Sequence, residues 1–329
     1  CDKSLPGTMM AMARLNLPSV FVYGGTIMPG MLDGRELTVV DVYEAVGAYD
    51  SGQISLEELK NIENVACPNA GSCGGMFTAN TMASISEAIG LALPGSASPP
   101  AEDDRREKMV YDTGKACVEL LGQKIRPRDI LTFEAFENAI TMLNAVGGST
   151  NGILHLLALA NEVGIKLTYD DFERVRKKTP HLADMKPGGN YVMNSLDKIG
   201  GIPFVLKKLL DKNLLNENTI TVTGKTIKEN LNSMTIPTVP DQKIVKSVES
   251  PIHNVGTALI LKGSLAPDGA VIKTAGVEIT KFTGKAKVFD KEDDAFDATA
   301  KGEIDEGDVL VIRYEGPKGG PGMREMLAT

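Results

Sequence analysis

Tryptophan is absent from this chain of 329 residues, and aromatic residues together make up only 5% of it. Aromatic rings are the platforms on which single-stranded nucleic acids stack, so their scarcity argues against that function. The formal net charge of −8 argues against it too, because nucleic-acid binders usually carry an excess of lysine and arginine. We therefore expect no nucleic-acid partner.

Long hydrophobic runs, signal sequences and paired cysteines are missing as well. No stretch approaches about eighteen consecutive apolar residues, so the sequence predicts no membrane-spanning helix. No basic segment followed by an apolar one indicates a secretory signal peptide. The four cysteines are too few for a disulfide scaffold and lack the C-x-x-C spacing of a zinc site. We expect a cytoplasmic protein, or an organellar one if its source is eukaryotic, that does not contact membranes.

The chain does contain enough apolar sequence for a sizeable core. Hydrophobic residues make up 42% of it and charged residues 24%, the balance of a globular protein long enough for two domains. Apolar spacing, caps and prolines predict helices over 6–17, 55–67, 77–93, 101–122, 132–146, 150–163 and 168–178. A short apolar run at 19–23 predicts a buried strand.

The character of the sequence changes near residue 240. Three prolines punctuate the polar stretch 236–256, which indicates a domain boundary. Beyond it, apolar runs predict short strands at 258–261, 270–273, 285–289 and 309–314. We expect the fold class α/β, with a helix-rich α/β domain over 1–240, a linker over 241–256 and a β-rich domain over 257–329.

Cys73 is the cysteine whose surroundings suggest chemistry. Glycines flank it in the segment GSCGG at 71–75, and a helix is predicted to begin near Phe77. Glycine lets a cofactor approach the backbone, and a helix N-terminus stabilises a thiolate. From spacing alone, a cofactor role and an ordinary loop thiol are equally supported. Cys67 and Cys117 are predicted to be packed, inert thiols.

Two other segments could bind a metal. Cys1, Asp2 and Lys3 place a soft thiolate beside a hard carboxylate and an amine, although an exposed tripeptide without function is the alternative. Glu325 follows the glycine-rich stretch 316–322, which could admit a ligand close to the backbone or simply form a turn. That stretch lacks the pattern of a phosphate-binding P-loop.

Three polar features receive structural interpretations. The charge run at 102–106 is predicted to be a solvent-exposed helix face. The segment GGSTN at 147–151 precedes a predicted helix, where it could bind an anion or cap the helix. His155 lies one turn inside that helix and is predicted to be packed.

Six segments together resemble the dihydroxy-acid dehydratase family, which also includes phosphogluconate and sugar-acid dehydratases. They are CDKSLPG at 1–7, PNAGSCGGMFTANTM at 68–82, LPGSAS at 93–98, NAVGGSTNGILHL at 144–156, GSLAPDGAVIK at 263–273 and RYEGPKGGPGMREML at 313–327. The resemblance spans essentially the whole chain. Within the family, GSCGGMFTANTM looks like the branched-chain amino-acid enzyme rather than its sugar-acid relatives.

The resemblance implies an iron–sulfur cluster beside a magnesium ion. Cys1 and Cys73 match two of the family's three cluster cysteines. Asp2, Lys3 and Glu325 match its magnesium ligands, with Lys3 carrying CO₂ as a carbamate. Carbamylation would turn the lysine tip into a hard oxygen ligand that suits Mg²⁺. The cluster type stays open, with [2Fe–2S] favoured over [4Fe–4S].

The implied reaction is loss of water from a 2,3-dihydroxy acid to give a 2-keto acid. The expected substrates are 2,3-dihydroxyisovalerate and 2,3-dihydroxy-3-methylvalerate, in valine and isoleucine biosynthesis. A sugar-acid or 6-phosphogluconate dehydratase is the alternative within the family. An iron–sulfur electron carrier or sensor is the alternative from another class, although it would have no use for magnesium ligands. The family also implies a β-barrel after the α/β domain, and a homodimer.

The chain departs from the family pattern at both ends. A third cluster cysteine and a further magnesium aspartate lie upstream of the Cys1 motif in the family, and the serine base lies downstream of Glu325. We therefore expect no catalytic base within this chain, and we expect the 329 residues alone to be inactive on 2,3-dihydroxyisovalerate.

Overall fold

The computed structural model describes residues 3–277 and 281–316, in which α-helices predominate and strands pair in twos. The helices are α1 (Ser4–Leu15), α2 (Val39–Asp50), α3 (Leu56–Ala66), α4 (Thr78–Ala88), α5 (Arg105–Gln123), α6 (Pro127–Ile130), α7 (Phe133–Ala145), α8 (Asn151–Val163), α9 (Tyr169–Lys178), α10 (Met193–Asp197), α11 (Gly201–Leu210), α12 (Ile227–Ser233) and α13 (Glu292–Ala300). The strands are β1 (Gly30–Leu32), β2 (Arg35–Leu37), β3 (Ala258–Leu261), β4 (Ala270–Lys273), β5 (Ala286–Phe289) and β6 (Val309–Ile312). The mixed α/β character agrees with the sequence prediction.

Reciprocal side-chain caps begin several of these helices. At α3, Ser55 Oγ accepts a hydrogen bond from the Glu58 backbone N–H at 3.2 Å, and the Glu58 carboxylate accepts one from the Ser55 N–H at 2.8 Å. The same capping box begins α2, α9 and α12. Each box satisfies two backbone N–H groups that the helix itself cannot, and a cap is worth about 1 kcal/mol. The capping box predicted at Ser55 is confirmed.

Helix α4 lies at the centre of the core, and all eleven of its residues are buried. It packs against α1, α7, α8 and α11. Its close approach to α8 depends on Gly148 and Gly152, where an added Cβ would lie 2.9 and 3.3 Å from Thr81 Cγ2. Burial of apolar side chains such as Met82 and Ile85 contributes about 1.5–3 kcal/mol each.

Helix α4 is shorter than its apolar pattern predicts. The pattern predicts a helix over 77–93, whereas α4 ends at Ala88. Gly90 then adopts a φ of +90°, and the N–H groups of Leu91 and Ala92 both bond to the Ser86 carbonyl. This left-handed turn reverses the chain, which an apolar pattern by itself cannot reveal.

Two further predictions of local structure are only partly met. The strand predicted at 19–23 is reduced to a single parallel bridge between Phe21 and Ala92, because its neighbour is the short turn that follows α4. The helix predicted to begin near residue 101 begins at Arg105. The other helices predicted from apolar spacing are found within a few residues of their expected bounds.

The four predicted strands after residue 257 are present but pair only in twos. Strands β3 and β4 are antiparallel, with Ala258 opposite Lys273. Strands β5 and β6 are parallel, with Ala286 opposite Val309. A closed barrel is not seen among residues 3–277 and 281–316, so the barrel domain stays a prediction. In the same residues, no helix combines the length and the hydrophobicity needed to cross a membrane.

The stretch predicted as a linker is hydrogen-bonded to residues 181–185. Val245 forms an antiparallel bridge with Ala183, and His253 forms one with His181. The two imidazole rings stack with centroids 5.2 Å apart and Nδ1 atoms 2.9 Å apart. Burial, together with the neighbouring His253 ring, lowers the pKa of His181 to about 4. His181 is therefore neutral at physiological pH, and with its Nε2 at 3.0 Å from the Ala183 carbonyl oxygen it can accept a hydrogen bond from His253 through Nδ1.

One residue of the charge run at 102–106 is buried, so the prediction of a solvent-exposed face is wrong there. The Arg106 side chain donates to the carbonyls of Tyr23 at 2.7 Å, Ser96 at 3.0 Å and Pro100 at 3.1 Å, and also to Pro99. A guanidinium carries five N–H donors, which suits it to collecting carbonyls from an irregular loop. Arg106 thereby holds the segment before α5 against the segment that follows α1.

We expect Arg106→Met to lower the free energy of unfolding by about 2–4 kcal/mol, because it leaves buried carbonyls without donors. Its neighbour Arg105 provides the matched control. The Arg105 side chain is 52% exposed and pairs with Asp103 and Asp197 at the surface. Arg105→Met should cost less than about 1 kcal/mol. Urea denaturation of the two variants measures this difference, and equal costs would contradict the role given to Arg106.

Candidate functional site

The structure describes two of the five predicted site residues. Lys3 is half-buried and immediately precedes α1, whereas Cys73 is exposed in the loop before α4. Helices α1 and α4 pack against each other within the core. Cys1, Asp2 and Glu325 lie outside the described residues. Among residues 3–277 and 281–316, no group of three or more His, Cys, Asp or Glu side chains could hold a metal ion.

Glycines allow residues 71–76, here called the Cys73 loop, to lie tightly against neighbouring backbone. Gly71 has a φ of +140°, and an added Cβ there would lie 2.4 Å from the Ile27 nitrogen. At Gly75, an added Cβ would lie 3.1 Å from the Lys186 carbonyl oxygen. No larger residue fits at Gly71 without moving backbone atoms, which explains the glycine at that position.

Backbone hydrogen bonds fix this loop at both of its ends. Before Cys73, the Ser72 N–H donates to the Gly25 carbonyl at 3.0 Å, and the Ser72 carbonyl accepts from the Ile27 N–H at 2.7 Å. After it, the Met76 N–H donates to the Lys186 carbonyl at 2.8 Å. Cys73 thus presents an exposed thiol from a backbone that is anchored on both sides.

The side chain of Asn80, in the first turn of α4, bonds to the middle of the same loop. Its Nδ2 donates to the carbonyls of Cys73 and Gly75, at 2.7 Å each. Its Oδ1 accepts a hydrogen bond of 2.8 Å from the buried Tyr23 hydroxyl, which also contacts Ser72 Oγ. Burial raises the pKa of Tyr23, which keeps its hydroxyl protonated as the donor in this bond.

A second polar cluster lies where α4 and α8 begin. Its hydrogen bonds bear on whether the segment 147–151 caps α8 or binds an anion. Ser149 Oγ accepts a hydrogen bond from the Asn151 N–H at 3.2 Å, and the Ser149 N–H donates to Thr81 Oγ1 at 2.9 Å. The Asn151 side chain donates to Thr78 Oγ1 at 3.0 Å. These contacts favour helix capping over anion binding. His155 is fully buried, as predicted.

The other two described cysteines differ from Cys73. Cys67 is exposed, so the prediction that it is packed is wrong: the chain leaves α3 at this residue and turns outward. Cys117 is half-buried on α5, and its Sγ lies 3.5 Å from the Pro18 carbonyl oxygen. Neither is held by a side-chain amide as the Cys73 loop is.

The residues present at Cys73 fit a thiolate ligand for a soft metal centre. An exposed thiol is accessible to a cofactor, and the start of α4 favours negative charge nearby. Thiolates select iron–sulfur clusters and other soft metals. Sequence reasoning found Cys73 but missed Asn80 and Tyr23. A lone amide inside the apolar helix pattern of α4 was the available signal for Asn80.

The opposite end of α4 carries a buried carboxylate. Glu87 accepts hydrogen bonds from the backbone N–H groups of Ala97 at 2.7 Å and Gly95 at 2.9 Å. It thereby fixes the segment LPGSAS at 93–98 to the helix that begins after the Cys73 loop. Burial raises the pKa of Glu87 to about 7, although the two N–H donors oppose the shift.

Two family models match the chain in succession. The one described as dihydroxy-acid/6-phosphogluconate dehydratase N-terminal matches residues 1–230. The one described as dihydroxy-acid/6-phosphogluconate dehydratase C-terminal matches residues 243–329. Together they cover nearly the whole chain.

Several curated proteins named dihydroxy-acid dehydratase are similar to it. The protein from Sulfolobus acidocaldarius is 59% identical over 327 residues, which are 99% of this chain and 58% of the relative. The protein from Sulfurisphaera tokodaii is 57% identical over 329 residues, which are 100% of this chain and 59% of the relative. That from Saccharolobus solfataricus is 59% identical over 327 residues, with 99% and 59% covered. The chain therefore spans less than two thirds of the length of these relatives.

The raised pKa of Glu87 predicts a specific pH dependence of stability. Between pH 4.5 and about 7 the folded state holds a proton that the unfolded state releases, so the contribution of Glu87 to stability is lost as pH rises. Glu87→Gln cannot ionise. We expect the unfolding free energy of the wild type to fall relative to this variant by on the order of 1–3 kcal/mol across this range. A difference that does not change with pH would contradict this.

Proposed function

Because the chain belongs to the dihydroxy-acid/6-phosphogluconate dehydratase family, we propose that it carries the cofactor-binding part of an enzyme that dehydrates a 2,3-dihydroxy acid to a 2-keto acid. The observation that carries the proposal is the exposed Cys73 thiol, presented by an anchored loop at the start of the central helix. The names of the similar curated proteins support the same reaction.

We propose 2,3-dihydroxyisovalerate and 2,3-dihydroxy-3-methylvalerate as substrates, which places the enzyme in valine and isoleucine biosynthesis. The support is the segment GSCGGMFTANTM at 71–82, which resembles the branched-chain enzyme, together with the similarity to proteins named dihydroxy-acid dehydratase. The family description also names 6-phosphogluconate dehydratase, so a sugar acid or 6-phosphogluconate is the second candidate substrate.

We propose that Cys73 and Cys1 are ligands of an iron–sulfur cluster, with [2Fe–2S] favoured, and that Asp2, Lys3 and Glu325 are ligands of Mg²⁺. The described residues support the thiolate half of this proposal through Cys73, whose thiol is exposed and whose backbone is fixed. When bound, the cluster would supply a Lewis-acidic iron for the leaving hydroxyl, and Mg²⁺ would stabilise the charge that develops at C2.

In this proposal, the protein's own residues hold the ligand atoms of the cofactors in place. Cys73 holds a soft ligand atom at a fixed point of the surface, because its loop is hydrogen-bonded before and after it. Lys3 is half-buried beside α1, where a carbamate at its tip would present hard oxygen to a divalent cation. An electron carrier would require only the thiolates, so a role for Lys3 distinguishes a dehydratase from such a carrier. The homodimer and the β-barrel expected for the whole protein belong to the same proposal.

The cluster assignment predicts that the protein extended to the length of its relatives is brown when purified without oxygen. Cys73→Ser should abolish both the visible absorbance and the conversion of 2,3-dihydroxyisovalerate, because a hydroxyl is a far harder and less acidic ligand than a thiol. Cys67→Ser is the matched control, since Cys67 is also exposed but ends a helix outside the Cys73 loop. Absorbance and turnover that survive Cys73→Ser would rule out the assignment. Faster turnover of 6-phosphogluconate would favour the second substrate.

The magnesium assignment predicts a separate defect for Lys3→Ala in the same protein. Removing the carbamate removes one anionic ligand and so weakens Mg²⁺ binding. We expect half-maximal activity to require roughly 10-fold or more Mg²⁺, with unchanged visible absorbance. Lys60→Ala is the control, because Lys60 lies exposed on α3. An unchanged requirement for Mg²⁺ in Lys3→Ala would refute the assignment of Lys3.

A further inference from the structure

We propose that Asn80 is a positioning residue for Cys73: its side-chain amide holds the carbonyl of Cys73 itself and that of Gly75, two residues later, and so helps to determine where the thiol lies. The effect on the loop follows from hydrogen bonds within the protein. The consequence for a bound cluster rests on the proposed function.

Three successive carbonyl groups of the loop receive hydrogen bonds, and Asn80 supplies two of them. Its Nδ2 donates to the carbonyls of Cys73 and Gly75 at 2.7 Å, while the carbonyl of Gly74 accepts from the Met193 N–H at 2.7 Å. The loop forms no sheet that could satisfy these groups. The Cys73 carbonyl also accepts a hydrogen bond of 3.2 Å from Thr26 Oγ1, whereas the Asn80 bond to Gly75 is buried. A buried carbonyl without a donor is costly, so loss of the Asn80 amide should loosen the loop.

The orientation of the Asn80 amide is fixed by a hydrogen bond on the side away from the loop. The Tyr23 hydroxyl donates to Asn80 Oδ1 at 2.8 Å, which leaves the amino group as the part that faces the loop. The Tyr23 carbonyl in turn accepts a hydrogen bond of 2.7 Å from Arg106, whose guanidinium lies 5.8 Å from the centre of the Tyr23 ring. A continuous set of contacts therefore runs from Arg106 through Tyr23 and Asn80 to Cys73.

Asn138 on α7 offers a closely matched control for a purely structural amide. Like Asn80, it is fully buried. Its Nδ2 also donates twice, to the Asn216 carbonyl and Thr219 Oγ1 at 3.1 Å each, and its Oδ1 accepts from the Asn216 N–H at 2.7 Å. None of these partners belongs to the Cys73 loop. Substitution at Asn138 therefore reproduces the loss of a buried amide without loosening the backbone around Cys73.

Hydrogen exchange on the metal-free protein tests the positioning role directly. In Asn80→Asp the carboxylate cannot donate, so the amides of Ser72 and Met76 should exchange roughly 10- to 100-fold faster than in the wild type. Asn138→Asp should leave those two amides unchanged at a similar loss of thermal stability. Tyr23→Phe removes the bond that orients Asn80 and also the contact with Ser72 Oγ, so its readout is the Met76 amide, which should exchange roughly 3- to 10-fold faster. If Asn80→Asp does not fold, Tyr23→Phe still tests the positioning role of Asn80.

The cluster-loaded protein supplies the second readout. Asn80→Asp should alter the visible circular dichroism of the cluster and release iron to a chelator several-fold faster, whereas Asn138→Asp should do neither. Unchanged loop exchange in both Asn80→Asp and Tyr23→Phe would overturn the positioning role. Faster loop exchange with an unaltered cluster would overturn its consequence for the cluster. A wild-type protein that takes up no cluster would overturn the proposed function alone, because the exchange result still decides the role of Asn80.

Discussion

The candidate site depends on one buried amide. Residues 73–76 of this loop do not form a strand, so their carbonyl groups find donors outside a sheet. Asn80 provides two of those donors from the first turn of α4, and Tyr23 and Arg106 hold Asn80 in the orientation that makes this possible. Since α4 is buried on every side, the position of Cys73 is fixed by the core itself rather than by a surface contact.

Local signals in the sequence predicted local structure well. The Ser55–Glu58 capping box and the apolar spacing of α7 and α8 concern residues within a few positions of one another, and the helices begin and end close to where these signals place them. The end of α4 and the burial of Arg106 were missed for a common reason. Both depend on partners that are distant along the chain or on a left-handed glycine, which the hydrophobic pattern does not encode.

The site itself was predictable in part. Glycines around Cys73, followed by a helix, supported a cofactor role and an ordinary loop thiol equally, and the structure places that thiol at the surface in an anchored loop. The contact between Asn80 and Tyr23 spans 57 positions of sequence, so no spacing rule could reveal it. Cys1, Asp2 and Glu325 were noted from local chemistry only as possible ligands, were assigned their roles through family resemblance, and lie outside the described residues. Their roles therefore stand as proposals.

Anomalous diffraction at the iron absorption edge tests the central claim most directly, namely that Cys73 is a ligand of an iron–sulfur cluster. Crystals of the protein at the length of its relatives would be grown without oxygen after reconstitution with iron and sulfide. We predict an anomalous peak of more than one iron atom within bonding distance of Cys73 Sγ. A protein that binds iron but shows its anomalous peak away from Cys73 would contradict the assignment.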